Sequence, residues 1–522
     1  MDSESVRKYL PICDKHPPLT AFTEIGHAEL TIPMLKQRSY TGNGAVIPSA
    51  LANIPCAHLG IAGVYEILNA VVRPPYPLRS EVSREIKDRQ IRKKVLVHDR
   101  ITKSDMPPRR VWDLCANRVV PFWYMPSRVV KSTPQWLWSL SVWGISHAWV
   151  DKNDRMSVMT PINGKEWPVP MPKDTDLDLI RIEMLNLGAE FAWLDVLCLR
   201  QEGGEDEHLH FEEWKLDVPT IGFVYSSGER VVCYFNGLGR PLHLSPGYFK
   251  SEHCWFRRAW TLQEIAPGLI IGGETGDDVT EDDVRKKFDE QLTYLQQIHI
   301  RGASLELASE MQNRVSSKPL DKVAGLAYLL GSNCIPIYDA DMSDSDAWEV
   351  LVDVMSSSSR AELFFYFPEP GNGRKYWRPS WQQILTMKHV WTSSCSEHVQ
   401  HRDTDQDWYR GYFIDSADVR GLDEGLWEEM PHQGKMVFKT SATHFSTFKI
   451  FAHHSYPIPN GSYALISNVC EIYAHPIHQW VVGQIKKSGK FKKLSVFSSA
   501  DADDEGVNLK EFCFQAVNIS LC

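Results

Sequence analysis

Phe191-Ala192-Trp193-Leu194-Asp195-Val196-Leu197-Cys198-Leu199 is the stretch on which the reading of the fold turns. It is short, almost continuously apolar, and bounded by Gly188 before it and Gly203-Gly204 after it. A strand covered on both faces has this pattern, whereas a half-exposed strand alternates apolar and polar residues. We read 191–199 as a buried strand. Asp195 interrupts it with a carboxylate. Burying that group unpaired would cost several kcal/mol, so it needs hydrogen-bond donors or a place in the wall of a site.

Working outward, the neighbouring segments alternate. Upstream, Asp174 is a candidate cap for a helix to about Leu187, with the stripe Leu177, Ile180, Met184 and Leu187 and with Gly188 as its stop. Ile145–Val150 is the preceding candidate strand, and a proline-containing loop up to Pro172 separates the two. Downstream, Glu212–Tyr225 reads as helix that Pro219 must kink or divide. Arg230–Phe235 reads as a second buried strand, Ser251–Ile265 as a helix capped by Ser251, and Leu269–Ile271 as a further strand. The order β-α-β-α-β-α-β predicts an α/β fold with a doubly wound parallel sheet. In such sheets a ligand sits beyond the carboxyl ends of the strands, where the strand order reverses.

The rest of the chain divides by texture. Residues 1–110 are mixed to helical, with a charged helical segment over Arg79–Arg100; 111–275 hold the alternating segments. Residues 276–375 read as mostly helical, with apolar runs at Val323–Leu330 and Trp348–Met355. Residues 376–522 read as α+β or mostly β, with short runs at Met436–Phe438, Tyr463–Ile466, Trp480–Val482 and Leu494–Phe497. A net charge of −10 and a pI near 6.0 argue against nucleic acid and against a polybasic membrane anchor. The 11 cysteines show no CxxC pair, so neither a disulfide framework nor a zinc site is expected and no metal is assigned. No signal-like leader and no long apolar run is evident, which predicts a cytoplasmic protein without a membrane span.

Four stretches, in order, resemble the fungal heterokaryon-incompatibility (HET) family. Ser146-His147-Ala148-Trp149 looks like its opening Ser-x-x-Trp. Trp193-Leu194-Asp195 through Cys198-Leu199-Arg200-Gln201 is similar to its W-[IL]-D-x-x-C-[IL]-x-Q block. Ile221-Gly222-Phe223-Val224-Tyr225 looks like its M-G-x-[IV]-Y segment, with Ile for Met. Arg258-Ala259-Trp260-Thr261-Leu262-Gln263-Glu264 matches R-x-W-T-L-Q-E without a change. The second and fourth blocks are the specific ones. Val150 departs from the glycine that many members carry there. Asp321–Leu330 and Trp377–Trp381 resemble, more weakly, segments found after the domain in basidiomycete (mushroom-type) relatives.

The resemblance implies a TIR-like sheet over 111–275 and a role in non-self recognition and programmed cell death. Self-association or protein partners in incompatibility signalling would follow. Some TIR domains cleave NAD+ at the nicotinamide–ribose bond with a glutamate in W-C-x-x-E. Trp260 and Glu264 have that spacing, which implies Glu264 as catalytic carboxylate, NAD+ as substrate and no bound cofactor. On a regular α-helix this i,i+4 spacing would put both on one face. A structural role for Glu264, paired with Arg257, stays open beside it, as does a non-catalytic signalling module. Ser146, His147, Trp149, Asp195, Arg200, Gln201 and Trp260 are the candidate substrate-binding residues. For Trp149 and Trp260 core packing competes, for Asp195 the anchoring of its loop, and for Arg200 a solvated position. Cys198, between two leucines, reads as an inert core thiol.

Overall fold

Two strands, Trp143–His147 and Val231–Tyr234, both buried along their whole length, form the spine of the first part of the chain. The computed structural model describes residues 19–26, 39–44, 46–53, 78–125, 130–132, 138–266, 268–273, 282–330, 334–387, 398–402, 406–423, 432–439, 445–452, 454, 456–467, 477–500 and 516–522. It falls into two compact units, Met1–Gln296 with Ile337–Asp339, and Gln297–Pro336 with Ala340–Cys522. Helices and sheets are mixed, in an α/β arrangement. The amino-terminal residues on which the reading of the leader rests lie outside the described residues.

The first unit contains helix α1 (Leu78–Val95), hairpin β1 (Arg110–Asp113) and β2 (Arg118–Pro121), and β3 (Trp143–His147). A second hairpin, β4 (Arg155–Val158) and β5 (Val169–Pro172), precedes α2 (Leu177–Leu187). Then come β6 (Phe191–Leu194), α3 (Asp195–Cys198), α4 (Glu207–Asp217), α5 (Ile221–Ser227), β7 (Val231–Tyr234) and β8 (Leu269–Ile271). The central sheet has the order β8-β7-β3-β6-β1-β2. β8, β7, β3 and β6 are parallel, and the β1–β2 hairpin adds antiparallel strands at one edge. From β3 the chain moves to β6 on one side, then crosses to β7 on the other. The order therefore reverses at β3, and Ser146 and His147 end that strand opposite Cys233 and Tyr234.

Gly144 makes the crossing possible. A Cβ there would come within 2.8 Å of the Tyr225 ring. With none present, Tyr225 lies against the strand, donates to the Ile145 carbonyl at 3.1 Å, and meets Trp193 edge to face at 5.6 Å. Two residues of the HET-like blocks, Trp193 and Tyr225, thus serve as packing around β3.

Several local expectations shift. The strand begun at Phe191 ends at Leu194, and Asp195 opens a one-turn helix because its own carboxylate accepts from the Val196 N–H at 2.7 Å. The cap of α2 is Asp176, which accepts from Asp178, while Asp174 pairs with Arg240. Gly188 ends α2 in the left-handed region at φ 99°, the stop read from the sequence. Pro219 divides α4 from α5. The helix expected over Ser251–Ile265 is instead two short 3₁₀ pieces, Trp255–Arg257 and Trp260–Glu264, preceded by a third at Tyr248–Lys250. With three residues per turn, Trp260 and Glu264 do not share a face; Trp260 aligns with Gln263 instead.

In the second unit, α7 (Ser304–Glu310), α8 (Leu320–Ala327), α9 (Asp344–Val354), α10 (Ser357–Phe365) and α11 (Trp381–Thr386) precede an antiparallel sheet; α6 (Asp282–Arg301) runs across the division of the chain. The sheet comprises β9 (Val399–Arg402), β10 (Gln406–Arg420), β11 (His432–Lys439), β12 (Phe445–Ala452), β13 (Gly461–Ser467), β14 (Ile477–Ile485), β15 (Phe491–Ala500) and β16 (Ala516–Ser520). The long β10 pairs with both β11 and β13, so β10-β11-β12-β15-β14-β13 closes on itself as a barrel. Closure removes the unpaired edges that an open sheet would expose. Trp480, Phe438, Phe448 and Phe497 fill its core. The fully buried Lys493 of β15 donates to the carbonyls of Leu363, Phe364 and Phe367 at 3.3, 2.8 and 2.6 Å, satisfying carbonyls at and just after the buried carboxyl end of α10. Among the described residues, no helix is long and apolar enough to cross a membrane.

In the first unit Arg181 of α2 is the buried cation that gathers distant segments. Its guanidinium donates to the carbonyls of Leu114, Ile47 and Cys115 at 2.6, 2.7 and 3.1 Å and pairs with Glu24 at 3.4 Å. Both side chains are fully buried, and Glu24 also accepts the Ser49 N–H at 3.0 Å. Removing one partner leaves a buried charge uncompensated. Arg181→Met is therefore expected to destabilise the first unit by about 3 kcal/mol or more, and Arg181→Met with Glu24→Gln by less than the single change. Chemical denaturation of both variants checks this; a double variant no better than the single one would show that the ion pair is not the source of the loss.

Candidate active site

The carboxyl end of β3 collects side chains from three elements. Ser146 is fully buried; its hydroxyl donates to Oε2 of Glu264 and accepts from Nε1 of Trp255 at 2.7 Å. Because the indole can only donate, the serine proton is directed at the glutamate. Glu264 is half-buried at the end of the last 3₁₀ piece, and its Oε1 makes no hydrogen bond with any described residue. Arg257 does not compete for it: it donates to the Lys250 carbonyl at 2.9 Å.

Beside this pair, His147 Nε2 lies 2.9 Å from Oδ1 of Asp195. Oδ2 of the same carboxylate accepts from Nε1 of Trp149 at 3.2 Å. The imidazole and indole rings stack with centroids 5.7 Å apart. Asp195 thus holds three donors, counting its own Val196 N–H. The requirement read from the sequence, that this carboxylate find partners, is met by residues of β3 and the segment after it.

Burial opposes charge on His147, but the attraction and hydrogen bond of Asp195, helped by Glu264, raise its pKa above the ordinary 6.5. Burial would push Asp195 up, yet the imidazolium and the three donors hold it below the usual range. Glu264 has no such partner. Burial, reinforced by the nearby Asp195 carboxylate, pushes it up to about 7 against the Ser146 hydrogen bond, His147 and Arg258. The site sets the hydrogen-bonded His147–Asp195 pair next to a carboxyl group that, near neutral pH, is poised between its two forms. Such a carboxyl group suits the stabilisation of positive charge that develops on a substrate.

Of the expected site residues, Ser146, His147, Trp149, Asp195 and Glu264 come together. Arg200 turns elsewhere: it pairs with Glu166 at 2.8 Å and Glu213 at 3.6 Å and lies over the Trp167 ring at 5.0 Å. The Gln201 amide folds back to donate to the carbonyls of Asp195 and Leu199 at 3.3 and 3.0 Å, fixing the loop after α3. Trp260 faces Tyr338, with centroids 6.3 Å apart. Cys198 is buried, and its thiol is pushed up to about 12, so it does not ionise. Trp255 takes the place beside Glu264 that the i,i+4 spacing suggested for Trp260. Gln263 is also new: it is 1% exposed, and neither its amide oxygen nor its nitrogen has a hydrogen-bond partner among the described residues. Sequence reading had no signal for either, because a continuous helix would have turned both residues differently.

The chain matches no protein-family model, no curated protein and no solved structure.

The His147–Asp195 pair has a pH signature. Because the folded pKa of His147 is raised, the stability it contributes is complete below about 6.5, the unfolded value, and is lost as the pH rises through the folded value. In Asp195→Asn the strongest influences opposing burial are gone and only Glu264 and the Ala148 carbonyl still act against it, so the His147 pKa is expected to fall relative to wild type. Histidine-selective NMR titration of wild type and variant measures this, and an unchanged His147 titration would refute the pairing.

Proposed function

We propose that the first unit is a HET-type module with a TIR-like, doubly wound sheet, that it cleaves NAD+ between nicotinamide and ribose, and that it acts in the cytoplasm in fungal non-self recognition and programmed cell death. The carrying observation is Glu264: a half-buried carboxyl group at the carboxyl end of β3, anchored through one oxygen by Ser146, with the other making no hydrogen bond to any described residue. Two further points support the reading. The strand order reverses at β3, the position where parallel sheets bind ligands. The HET-like blocks supply Ser146, His147, Trp149, Asp195 and Glu264 to one site.

The chemistry needs one carboxylate. The C1′–N bond breaks with its electron pair going to nicotinamide, which leaves neutral, so no general acid is required. The ribose becomes an oxocarbenium-like cation. The anion of Glu264 stabilises that charge and orients the ribose hydroxyls. Water adds to C1′ and loses a proton, giving ADP-ribose. His147 and Asp195, paired with each other, keep Trp149 in place as a wall.

Incubation of the full chain with NAD+, following nicotinamide release, tests the proposal. Glu264→Gln is expected to reduce release by at least about a hundredfold. Since the ionised form acts and the free group titrates near 7, kcat/KM is expected to rise with pH through about 7 and then level. No release by wild type, or release undiminished in the folded Glu264→Gln variant, would leave the carboxylate a structural group and the module a non-catalytic one for signalling or self-association.

A further inference from the structure

Arg155 opens β4 just beyond the turn that follows β3, and its guanidinium lies over the Trp149 ring, 4.9 Å from the centroid. Trp149 is fixed in turn by Asp195 at its nitrogen and by the stacked His147 ring. The guanidinium is half-buried and forms no ion pair among the described residues. Asp151 is the acid that acts on it, but that carboxylate accepts the Asn153 N–H at 3.1 Å and lies 3.4 Å from His253. Burial accordingly lowers the Arg155 pKa with little to offset it.

A partly desolvated cation without an anion is an unfavourable arrangement unless a ligand completes it. In a chain of net charge −10, its presence beside the site is informative. Two other arginines of the first unit are occupied, Arg200 by Glu166 and Glu213 and Arg240 by Asp174, and the charge of Arg258 acts on Glu264. Stacking on an aromatic face covers one side of a guanidinium and leaves its edge N–H groups directed outward, in the fork that matches two phosphate oxygens. The stack also sets the cation one aromatic ring away from the His147–Asp195 pair, as a 5′-phosphate lies one sugar away from a glycosidic carbon.

We propose that Arg155 is the phosphate-binding residue of this site, taking the pyrophosphate of an adenine dinucleotide whose ribose faces Glu264. The assignment rests on the nucleotide reading above, but binding and cleavage can be tested apart. The full chain is titrated with ADP-ribose, and with adenosine as a phosphate-free control, by calorimetry. Nicotinamide release is measured from NAD+ and from nicotinamide riboside, which has the same scissile bond and no phosphate.

Arg155→Met is expected to weaken ADP-ribose binding about tenfold or more, to leave adenosine unchanged, and to lower kcat/KM for NAD+ but not for the riboside. Arg155→Lys keeps the charge without the fork and should fall between; it carries the comparison if Arg155→Met does not fold. Failure of wild type to bind ADP-ribose, or equal binding by wild type and both variants, overturns the assignment whatever the cleavage assay shows. Binding that depends on Arg155 without nicotinamide release upholds the phosphate site and overturns the cleavage reading alone.

Discussion

The Asp195 carboxylate is the interaction on which the geometry at the end of β3 depends. It receives the imidazole of His147, the indole of Trp149 and the backbone of Val196. The indole in turn carries Arg155. The same negative charge bears on Glu264 and helps keep its carboxyl group from ionising early. One anion therefore orients an imidazole, an indole and, through the indole, a guanidinium, while tuning a second acid that it does not touch. Its cost of burial is met by a cation and two neutral donors, a better-compensated arrangement than a bare ion pair.

The two acids of the site are held in different states by their surroundings. Asp195 faces an imidazolium and stays ionised. Glu264 faces a neutral hydroxyl, which is itself fed by the Trp255 N–H, and lies near the middle of its titration at neutral pH. Carboxyl groups driven apart in this way can take different roles in one small space. The arrangement also explains why Ser146 is buried yet useful: its proton is directed at Glu264, and one of its two lone pairs accepts from Trp255.

Three strands of the sheet were legible because they are apolar throughout, whereas the strand expected at Ile145–Val150 runs over Trp143–His147. Phe191–Leu194, Val231–Tyr234 and Leu269–Ile271 lie where continuous hydrophobicity put them, and Gly188 and Pro219 act as the breaks their chemistry dictates. Most of the candidate site was also legible, since Ser146, His147, Trp149, Asp195 and Glu264 meet. What escaped was local winding. Nothing in Trp255–Glu264 distinguishes 3₁₀ turns from an α-helix, because the preference is set by what packs around them, so Trp260 was expected at the site and the bond of Trp255 to Ser146 was not foreseen. Asp195 was read as a strand residue because capping by a side chain to its own neighbour leaves no periodic trace. Arg155 stood in a polar loop where a lone arginine is unremarkable until the ring beneath it is seen.

Arg181 and Glu24 lie 157 residues apart in the chain. A ribosome releases Glu24 long before its cation exists. Among the described residues from Thr20 to Ser49, that carboxylate accepts from the Ser49 amide. Excision of the sheet without its leading segment would remove Glu24, the carboxylate that pairs with this buried guanidinium, and leave it only the more distant charges of Asp178 and Asp113.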